Sequence, residues 1–317
     1  MAYNTYTGGR NENIADPATG INSYEWYDRA LLETAREQFV ISNFTAKKTM
    51  PKYEGKGVVF SYYEPIPAFT QPLIENSAGA STSLSKVNIR ANVEAYGTFV
   101  PFTDDLDIYG EDGARFRADV TQNLGGAAGE TQERLILQGI QGSHTPIAFD
   151  TDIATTLKTA ELALRNALGM KFTDMITGSV NYGTTPIRAA YVGFISPESA
   201  LDFEDVLPGW KPVSDYGYTD GLLPSEVGSY RGIRFCESTI VEDYDTGAGA
   251  KPVAYILAEE SVMETGIRGV KRIETIIKEL GSAGTGDALN RSGSIGTKFR
   301  LAVATRAEHV VIAELAA

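Results

Sequence analysis

The sequence predicts an α+β fold. Strand-like and helix-like segments follow one another in mixed order, without the repeating strand–helix unit that is typical of a doubly wound parallel sheet. The clearest strand lies at residues 87 to 95, where every odd position is apolar and every even position is polar. The clearest helix lies at residues 155 to 168, where an amphipathic pattern ends at Gly169.

The first 40 residues predict an extended arm followed by a helix. Residues 1 to 22 carry little apolar bulk, so this segment cannot offset the entropy of its own ordering and is expected to order only against a partner. Residues 22 to 40 begin at capping-box spacing and continue with apolar residues on one helical face. A strand rich in β-branched and aromatic residues follows at 58 to 66.

Two strands, 58 to 66 and 87 to 95, flank a soft polar segment at 77 to 83 and predict a long β-hairpin. An isolated two-stranded hairpin is marginally stable, and this one has an apolar stripe of Val87, Ile89 and Val93 to cover. Burial of each of these side chains contributes ~1.5 to 3 kcal/mol before ordering costs. The pattern leaves two alternatives of equal weight: the chain's own helices cover the stripe, or a neighbouring copy does.

The remaining chain predicts further helices and short strands. A helix is expected over residues 113 to 140, although its run Gly125-Gly126-Ala127-Ala128-Gly129 costs ~1 kcal/mol per glycine and allows the alternative of two shorter helices. Ser196 followed by Pro197 indicates another helix start. Short strands are expected at residues 188–195, 231–236, 252–257, 272–278, 294–304 and 308–315.

Composition restricts the classes of function. A chain of 317 residues can bury one large core or two modest ones. A formal net charge of −13 argues against a protein that binds nucleic acid through contacts to its phosphates. No run is long and apolar enough for a membrane helix, and the N-terminus lacks the order of a signal peptide. A single cysteine, Cys236, excludes an intrachain disulfide and agrees with a reducing compartment.

The sequence predicts no catalytic, cofactor-binding or metal-binding residues. The only histidines, His144 and His309, have no other metal ligand at a recognised spacing. Cys236 alternates with apolar neighbours, as a small buried side chain does. The glycines of residues 178 to 185 have the spacing of a phosphate loop, but Thr184 stands where lysine is required.

Acidic residues give two weak signals for chemistry. The segment from Asp105 imitates the start of a calcium loop, yet Tyr109 and Phe116 occupy two of the ligand positions. An acidic hydrolase that uses carboxylates such as Asp104 and Asp107 is an alternative from a different functional class. Without a histidine or a set of metal ligands beside them, these acids give it little support.

Four segments, in this order and spacing, resemble one known family. They are Gly55 to Phe60 (GKGVVF), Ala95 to Asp104 (AYGTFVPFTD), Glu226 to Phe235 (EVGSYRGIRF) and the glycine-rich Ile276 to Gly296 (IIKELGSAGTGDALNRSGSIG). Together they make the chain similar to the major capsid proteins of tailed bacteriophages with the Hong Kong ninety-seven type fold. The resemblance is greatest to the branch named for the capsid protein of the N-four podovirus.

The resemblance implies a domain organisation. Residues 1–54 would form an N-terminal arm and residues 55–101 an extended hairpin, the E-loop. Residues 102–140 and 270–317 would form a peripheral domain with a long spine helix and a sheet, and residues 141–269 an axial domain.

The resemblance also implies a function without catalysis. Family members form hexamers and pentamers that tile an icosahedral shell around double-stranded DNA. The shell does not recognise the sequence of that DNA. The resemblance further implies a location in the virion, assembly in the host cytoplasm and no membrane. The implied partners are a separate scaffolding protein, a portal and, as an optional addition, a decoration protein. The nearest rival that shares the fold is an encapsulin-like compartment, which encloses enzymes.

The alternating strand coincides with the arm that would lie across a neighbouring subunit. Head-to-tail contacts of this kind close into rings. The expected inter-subunit contact residues of the E-loop are Phe69, Leu73, Ile74, Val87, Ile89 and Val93. Aspartate in place of Ile89 and Val93 is expected to leave subunits soluble but unable to assemble.

Overall fold

The computed structural model describes residues 40–70, 72, 81–109, 113–175, 187–216, 221–245, 249–268, 273–282, 287 and 289–316. Four α-helices lie in these ranges, namely α1 (Asp104–Tyr109), α2 (Gly113–Ser143), α3 (Ile153–Asn166) and α4 (Pro197–Val206). The predicted arm at residues 1 to 22, and the helix predicted after it except for residue 40, lie outside the described residues.

Fifteen strands are present in the described part of the chain. In order they are β1 (Ala46–Met50), β2 (Gly57–Tyr63), β3 (Lys86–Asn92), β4 (Glu94–Thr103), β5 (Tyr191–Ile195), β6 (Lys211–Pro212), β7 (Glu226–Tyr230), β8 (Ile233–Glu237), β9 (Tyr244–Asp245), β10 (Ala250–Lys251), β11 (Val253–Leu257), β12 (Val262–Ile267), β13 (Ile273–Lys278), β14 (Ser292–Thr305) and β15 (Val310–Glu314). This mixture of helices and strands confirms the predicted α+β class.

The chain divides into two compact units. Within the described residues, the larger unit comprises residues 40–95, 130–268 and 300–316, and the smaller unit comprises residues 96–129 and 273–299.

A six-stranded mixed sheet forms the centre of the larger unit, with strand order β15-β11-β5-β8-β7-β6. The pair β5–β8 is parallel, whereas β5–β11 and β11–β15 are antiparallel. Every residue of β5, β11 and β15 is buried, because both faces of the sheet are covered. The continuous apolar runs of these strands in the sequence are therefore what a central strand with two covered faces requires.

Alternate residues of the sheet face two hydrophobic clusters. On one face, Leu157, Leu164 and Phe203 from α3 and α4 pack against residues such as Tyr191 and Ile195 of β5. On the other face, residues such as Ile136 and Ile140 from the last turns of α2 pack with Val192 and Phe194. Helix α4 starts as the sequence predicts, with Ser196 as its cap and Pro197 at its first position. Helix α3 starts two residues before the predicted position, and Asp152 caps it by accepting a hydrogen bond from Thr155 N at 2.6 Å.

A buried carboxylate of the larger unit, that of Glu133, has specific hydrogen-bond partners. The carboxylate of Glu133 on α2 accepts bonds from Ile41 N at 2.9 Å and Ser42 N at 2.8 Å. It thereby satisfies the first amides of the short 3-10 helix Ile41–Phe44. Burial raises the pKa of Glu133, while the amide bonds act in the opposite direction.

The smaller unit contains β13 paired antiparallel with the first half of β14, from Ile273↔Phe299 to Lys278↔Ser294. β4 pairs with β14 as well. Its core consists of three buried side chains, Phe102, Leu124 and Ile295, with five partly buried residues packed around them: Val100, Leu106, Phe116, Val120 and Leu280.

Helix α2 is continuous for 31 residues. The alternative of two shorter helices broken at the glycine run is therefore wrong. An added Cβ at Gly125 would meet no atom within 4 Å, so this glycine is not required by a close approach within the described chain.

Candidate assembly surface

The hairpin β2–β3 has two chemically different faces. Its register runs from Gly57↔Asn92 to Tyr63↔Lys86, so Val58, Phe60 and Tyr62 stand opposite Ala91, Ile89 and Val87 on one face. We call this the inner face. The outer face carries the remaining β2 residues Val59, Ser61 and Tyr63 and the polar residues of β3.

The inner face packs on the larger unit to which the hairpin belongs. Phe60 is buried in a cluster with Met263 of β12 and Ala304 of β14, and Ile89 lies partly buried against the same cluster. The guanidinium carbon of Arg306 lies 3.9 Å from the ring centroid of Tyr62. Cation–π contacts of this kind contribute about 0.5 to 2 kcal/mol. The chain itself therefore covers much of the predicted apolar stripe.

The structure locates four of the six predicted contact residues. Val87 and Ile89 are half-buried on the inner face, and Val93 is buried, with its amide bonded to Lys56 O at 2.9 Å. Phe69 is 75% exposed. Leu73 and Ile74 lie outside the described residues. Contact of these residues with a neighbouring copy stays a prediction.

Sequence reasoning missed the apolar residues of the outer face. Val59 is 53% exposed and Tyr63 is 60% exposed. Ile66 and Leu84, beyond the paired residues, are also exposed. The available signal was the run Gly57–Tyr63 itself, GVVFSYY, which is apolar at almost every position and so predicts a strand with two apolar faces. Together with Phe69, these residues form the exposed hairpin surface.

Exposed apolar side chains of this number on one hairpin indicate an interaction surface. Burial of exposed apolar side chains against another molecule is favourable. Burying the exposed half of Val59 or Tyr63 contributes on the order of 1 kcal/mol each. A neighbouring molecule of any kind that covered this surface would be held by several such contacts.

The potential metal ligands of the described residues are not clustered. Groups of three or more His, Cys, Asp or Glu side chains that could hold a metal do not occur among them. Cys236 is fully buried, and burial raises the pKa of its thiol, which disfavours the reactive thiolate. His309 is buried with Nε2 3.2 Å from Ala167 O, and burial lowers the pKa of both His309 and His144.

Of the acidic and phosphate-loop-like segments, only a part lies within the described residues. Asp104 and Asp105 are held in ion pairs with Arg291, at 3.3 Å from Nε and 2.6 Å from Nη2. Asp104 is therefore a partner in a salt bridge. The side chain of Asp107, part of the calcium-like segment and the whole phosphate-loop-like segment at residues 178 to 185 lie outside the described residues. Where the structure describes the chain, no helix is both long and apolar enough to cross a membrane.

No protein-family model and no curated sequence matches this chain. Solved structures do match it over nearly its whole length. The capsid structure of the cyanophage P-SCSP1u is 11% identical, with 98% of this chain and 99% of that chain covered and a TM-score of 0.63. The chain has the fold of phage capsid subunits.

Other capsid structures repeat this likeness. The capsid of Ralstonia phage GP4 is 12% identical, with 92% of this chain and 94% of that chain covered and a TM-score of 0.64. A structure from Gordonia phage Cozz is 12% identical, with 100% and 99% coverage and a TM-score of 0.61. The capsid fold predicted from the four sequence segments is thus confirmed, whereas the closeness to the N-four branch stays a prediction.

Proposed function

We propose that this chain is the major capsid protein of a tailed bacteriophage and assembles through hexamers and pentamers into an icosahedral shell around double-stranded DNA. The observation that carries the proposal is the likeness to phage capsid structures over 98% of this chain and 99% of the other. Coverage of both chains from end to end means that the fold is not a small module shared with unrelated proteins. The protein has a structural and not a catalytic role.

The hairpin provides the physical basis of assembly. Its inner face fixes it to its own subunit through Phe60, Ile89 and Tyr62, which leaves the exposed hairpin surface available to a neighbour. A surface that binds a different surface on the next copy forms a head-to-tail contact, and such contacts close into rings. Phe69, Leu73 and Ile74 at the tip, with Val59 and Tyr63 on the outer face, would bury their apolar area against the adjacent subunit. Val87, Ile89 and Val93 would hold the hairpin in place by packing within its own subunit.

The domain organisation follows from the same proposal. Residues 1–54 form the N-terminal arm, 55–101 the E-loop, 102–140 and 270–317 the peripheral domain, and 141–269 the axial domain. The continuous helix α2 corresponds to the spine of the peripheral domain. Its first 28 residues, 113 to 140, lie within the range proposed for that domain.

The charge of the chain agrees with a passive container. A formal net charge of −13 gives packaged DNA no attraction to the wall as a whole. DNA that a motor drives into the shell needs no attraction to the wall. The other proposed partners are a separate scaffolding protein, a portal and a decoration protein, with assembly in the host cytoplasm and a final location in the virion capsid.

Assembly of the full chain tests this proposal. We expect sedimentation velocity and negative-stain electron microscopy to show capsomers or shells for the wild-type protein. Tyr63→Asp should stay monomeric, because a buried aspartate without a partner costs more than the apolar contact that it replaces. Ser61→Asp adds the same charge to the same exposed face of β2 without removing an apolar side chain, and should assemble more completely than Tyr63→Asp.

Two results would contradict the proposal. A wild-type chain that remains monomeric at every concentration, with and without the scaffolding protein, would exclude a shell subunit. Normal particles from Tyr63→Asp would exclude the hairpin as the contact. The contents of purified particles separate the rival compartment, since DNA supports a capsid and an enclosed enzyme without DNA supports an encapsulin-like shell.

A further inference from the structure

A cationic pocket lies on the larger unit, remote in sequence from the hairpin. Its cavity volume is about 330 Å³, and its lining includes Arg188, Lys211 and Arg231 but no aspartate or glutamate. Three segments bring these side chains together: the residues before β5, the start of β6 and the turn between β7 and β8. Three cations in one concavity are unusual in a chain with only 28 lysines and arginines and a net charge of −13.

The two arginines of the pocket are not neutralised by carboxylates of the described chain. Arg188 is exposed and forms no ion pair with any described residue. Arg231 lies over the ring of Tyr230, with its guanidinium carbon 5.3 Å from the centroid. The acid that acts on Arg231 is Glu161, which is already bonded to Arg165 at 2.5 Å. The charges of the two arginines are therefore available to a ligand.

The backbone of Arg231 is held in a conformation that arginine rarely adopts. Its φ angle is +54°, in the left-handed region that glycine and asparagine enter more readily. The turn is fixed by its neighbours, since Gly232 O accepts a bond from Tyr191 N at 2.9 Å. The fold thus presents the Arg231 side chain at a position where glycine or asparagine would be more easily accommodated.

We propose that this cationic pocket binds a small phosphate group, either inorganic phosphate or the terminal phosphate of a nucleotide. A carboxylate carries one charge and is satisfied by one arginine, whereas a phosphate monoester carries nearly two charges and three acceptor oxygens. Guanidinium groups match those oxygens in paired hydrogen bonds. The cavity lies at the lower end of the size range of small-molecule sites, so a phosphate or a mononucleotide fits it.

A small phosphate is favoured over duplex DNA by two observations. The cations line a concavity and not an extended stripe, and the chain as a whole is strongly acidic. The site does not depend on assembly, so the outcome of its test is separate from that of the capsid proposal.

Calorimetric titration of the full chain with inorganic phosphate and with adenosine monophosphate tests the site. We expect saturable binding that weakens with added salt. Arg231→Asn and Arg188→Gln should each weaken it at least about tenfold, because each removes a charge-assisted hydrogen bond. Asparagine tolerates the left-handed backbone, so Arg231→Asn should fold normally, as circular dichroism would show.

Arg268→Gln is the matched control. Arg268 is exposed in the same unit and is not part of the pocket, so its loss changes the net charge equally and should leave affinity unchanged. Absence of saturable binding by the wild-type chain would overturn the proposal, as would an equal loss in the control. Binding of a duplex oligonucleotide but not of either small phosphate would also overturn it in favour of a DNA contact.

Discussion

Removal of the buried carboxylate of Glu226 should destabilise the larger unit more than the removal of a charged group from an exposed side chain. Arg234 and Glu226 lie on adjacent strands β8 and β7, and their side chains are 2% and 1% exposed. Arg234 Nε donates to Glu226 Oε1 at 2.6 Å, and its Nη2 bonds Glu226 Oε2 and also donates to Gly221 O at 2.9 Å. The pair thereby attaches the loop before β7 to the sheet.

The carboxylate of Glu226 has further donors. Tyr216 Oη donates to Oε1 at 2.8 Å, and Leu223 N donates to Oε2 at 3.0 Å. Burial raises the pKa of the Tyr216 phenol, which keeps this donor protonated. Glu226→Gln removes the negative charge but leaves the guanidinium buried, and such a change costs about 3 to 5 kcal/mol. Since small domains are stable by only about 5 to 15 kcal/mol, this is a large part of the total.

Urea unfolding followed by circular dichroism measures the effect. The matched control is Glu242→Gln, whose side chain is exposed and pairs with Arg134 at 2.6 Å, and which should cost under about 1 kcal/mol. Combining Glu226→Gln with Arg234→Met should restore part of the stability, because no unpaired charge remains. A loss for Glu226→Gln as small as that of the control, or simple addition of the two single losses in the double variant, would refute the reasoning.

Two further predictions concern pH and helix α2. Burial lowers the pKa of His309 below its usual 6.5, so the unfolded chain binds protons more readily and the free energy of unfolding should fall as pH drops below about 6.5. His309→Gln should reduce that fall when urea midpoints are compared at pH 7.5 and 5.5, and an unchanged fall would show that His309 is not its source. In α2, Gly125→Ala should raise stability by about 0.5 to 1 kcal/mol, because the added methyl group meets open space in a helix interior. Gly139→Ala should instead lower the melting temperature, because its Cβ would stand 2.8 Å from Val303 Cγ1; equal shifts for the two variants would contradict this explanation.

Local patterns predicted much of the fold. The amphipathic helix at 155 to 168 corresponds to Ile153–Asn166, and the alternating strand at 87 to 95 corresponds to Lys86–Asn92 and the start of the next strand. β1 and β12 escaped prediction. The segment Ala46–Met50 reads AKKTM and lacks a strand pattern of its own, and it is a strand through its parallel pairing with Val262–Ile267. Such pairing between distant segments overrides weak local preference.

The surfaces that matter for function depend on contacts between distant segments. The alternation of β3 identified an apolar stripe but did not show what covers it. In the structure Ile89 packs against Met263 and Ala304 of its own subunit, which are more than 170 residues away in sequence. This changes the expectation for Ile89→Asp and Val93→Asp, since Ile89 packs within its own subunit and Val93 is buried. Both should now destabilise the subunit as well as disturb assembly. The three cations of the pocket are likewise separated in sequence, so no sequence motif predicted the pocket.

Photo-crosslinking from position 63 tests the central claim most directly. Chains with p-benzoylphenylalanine in place of Tyr63 are prepared with ¹⁴N or ¹⁵N, mixed before assembly, and irradiated in the assembled particles. If the exposed hairpin surface is covered by a neighbouring copy, mass spectrometry should find crosslinked peptide pairs in which one peptide is ¹⁴N and the other ¹⁵N. Crosslinks confined to peptide pairs of a single isotope would place that surface against its own subunit and contradict the account.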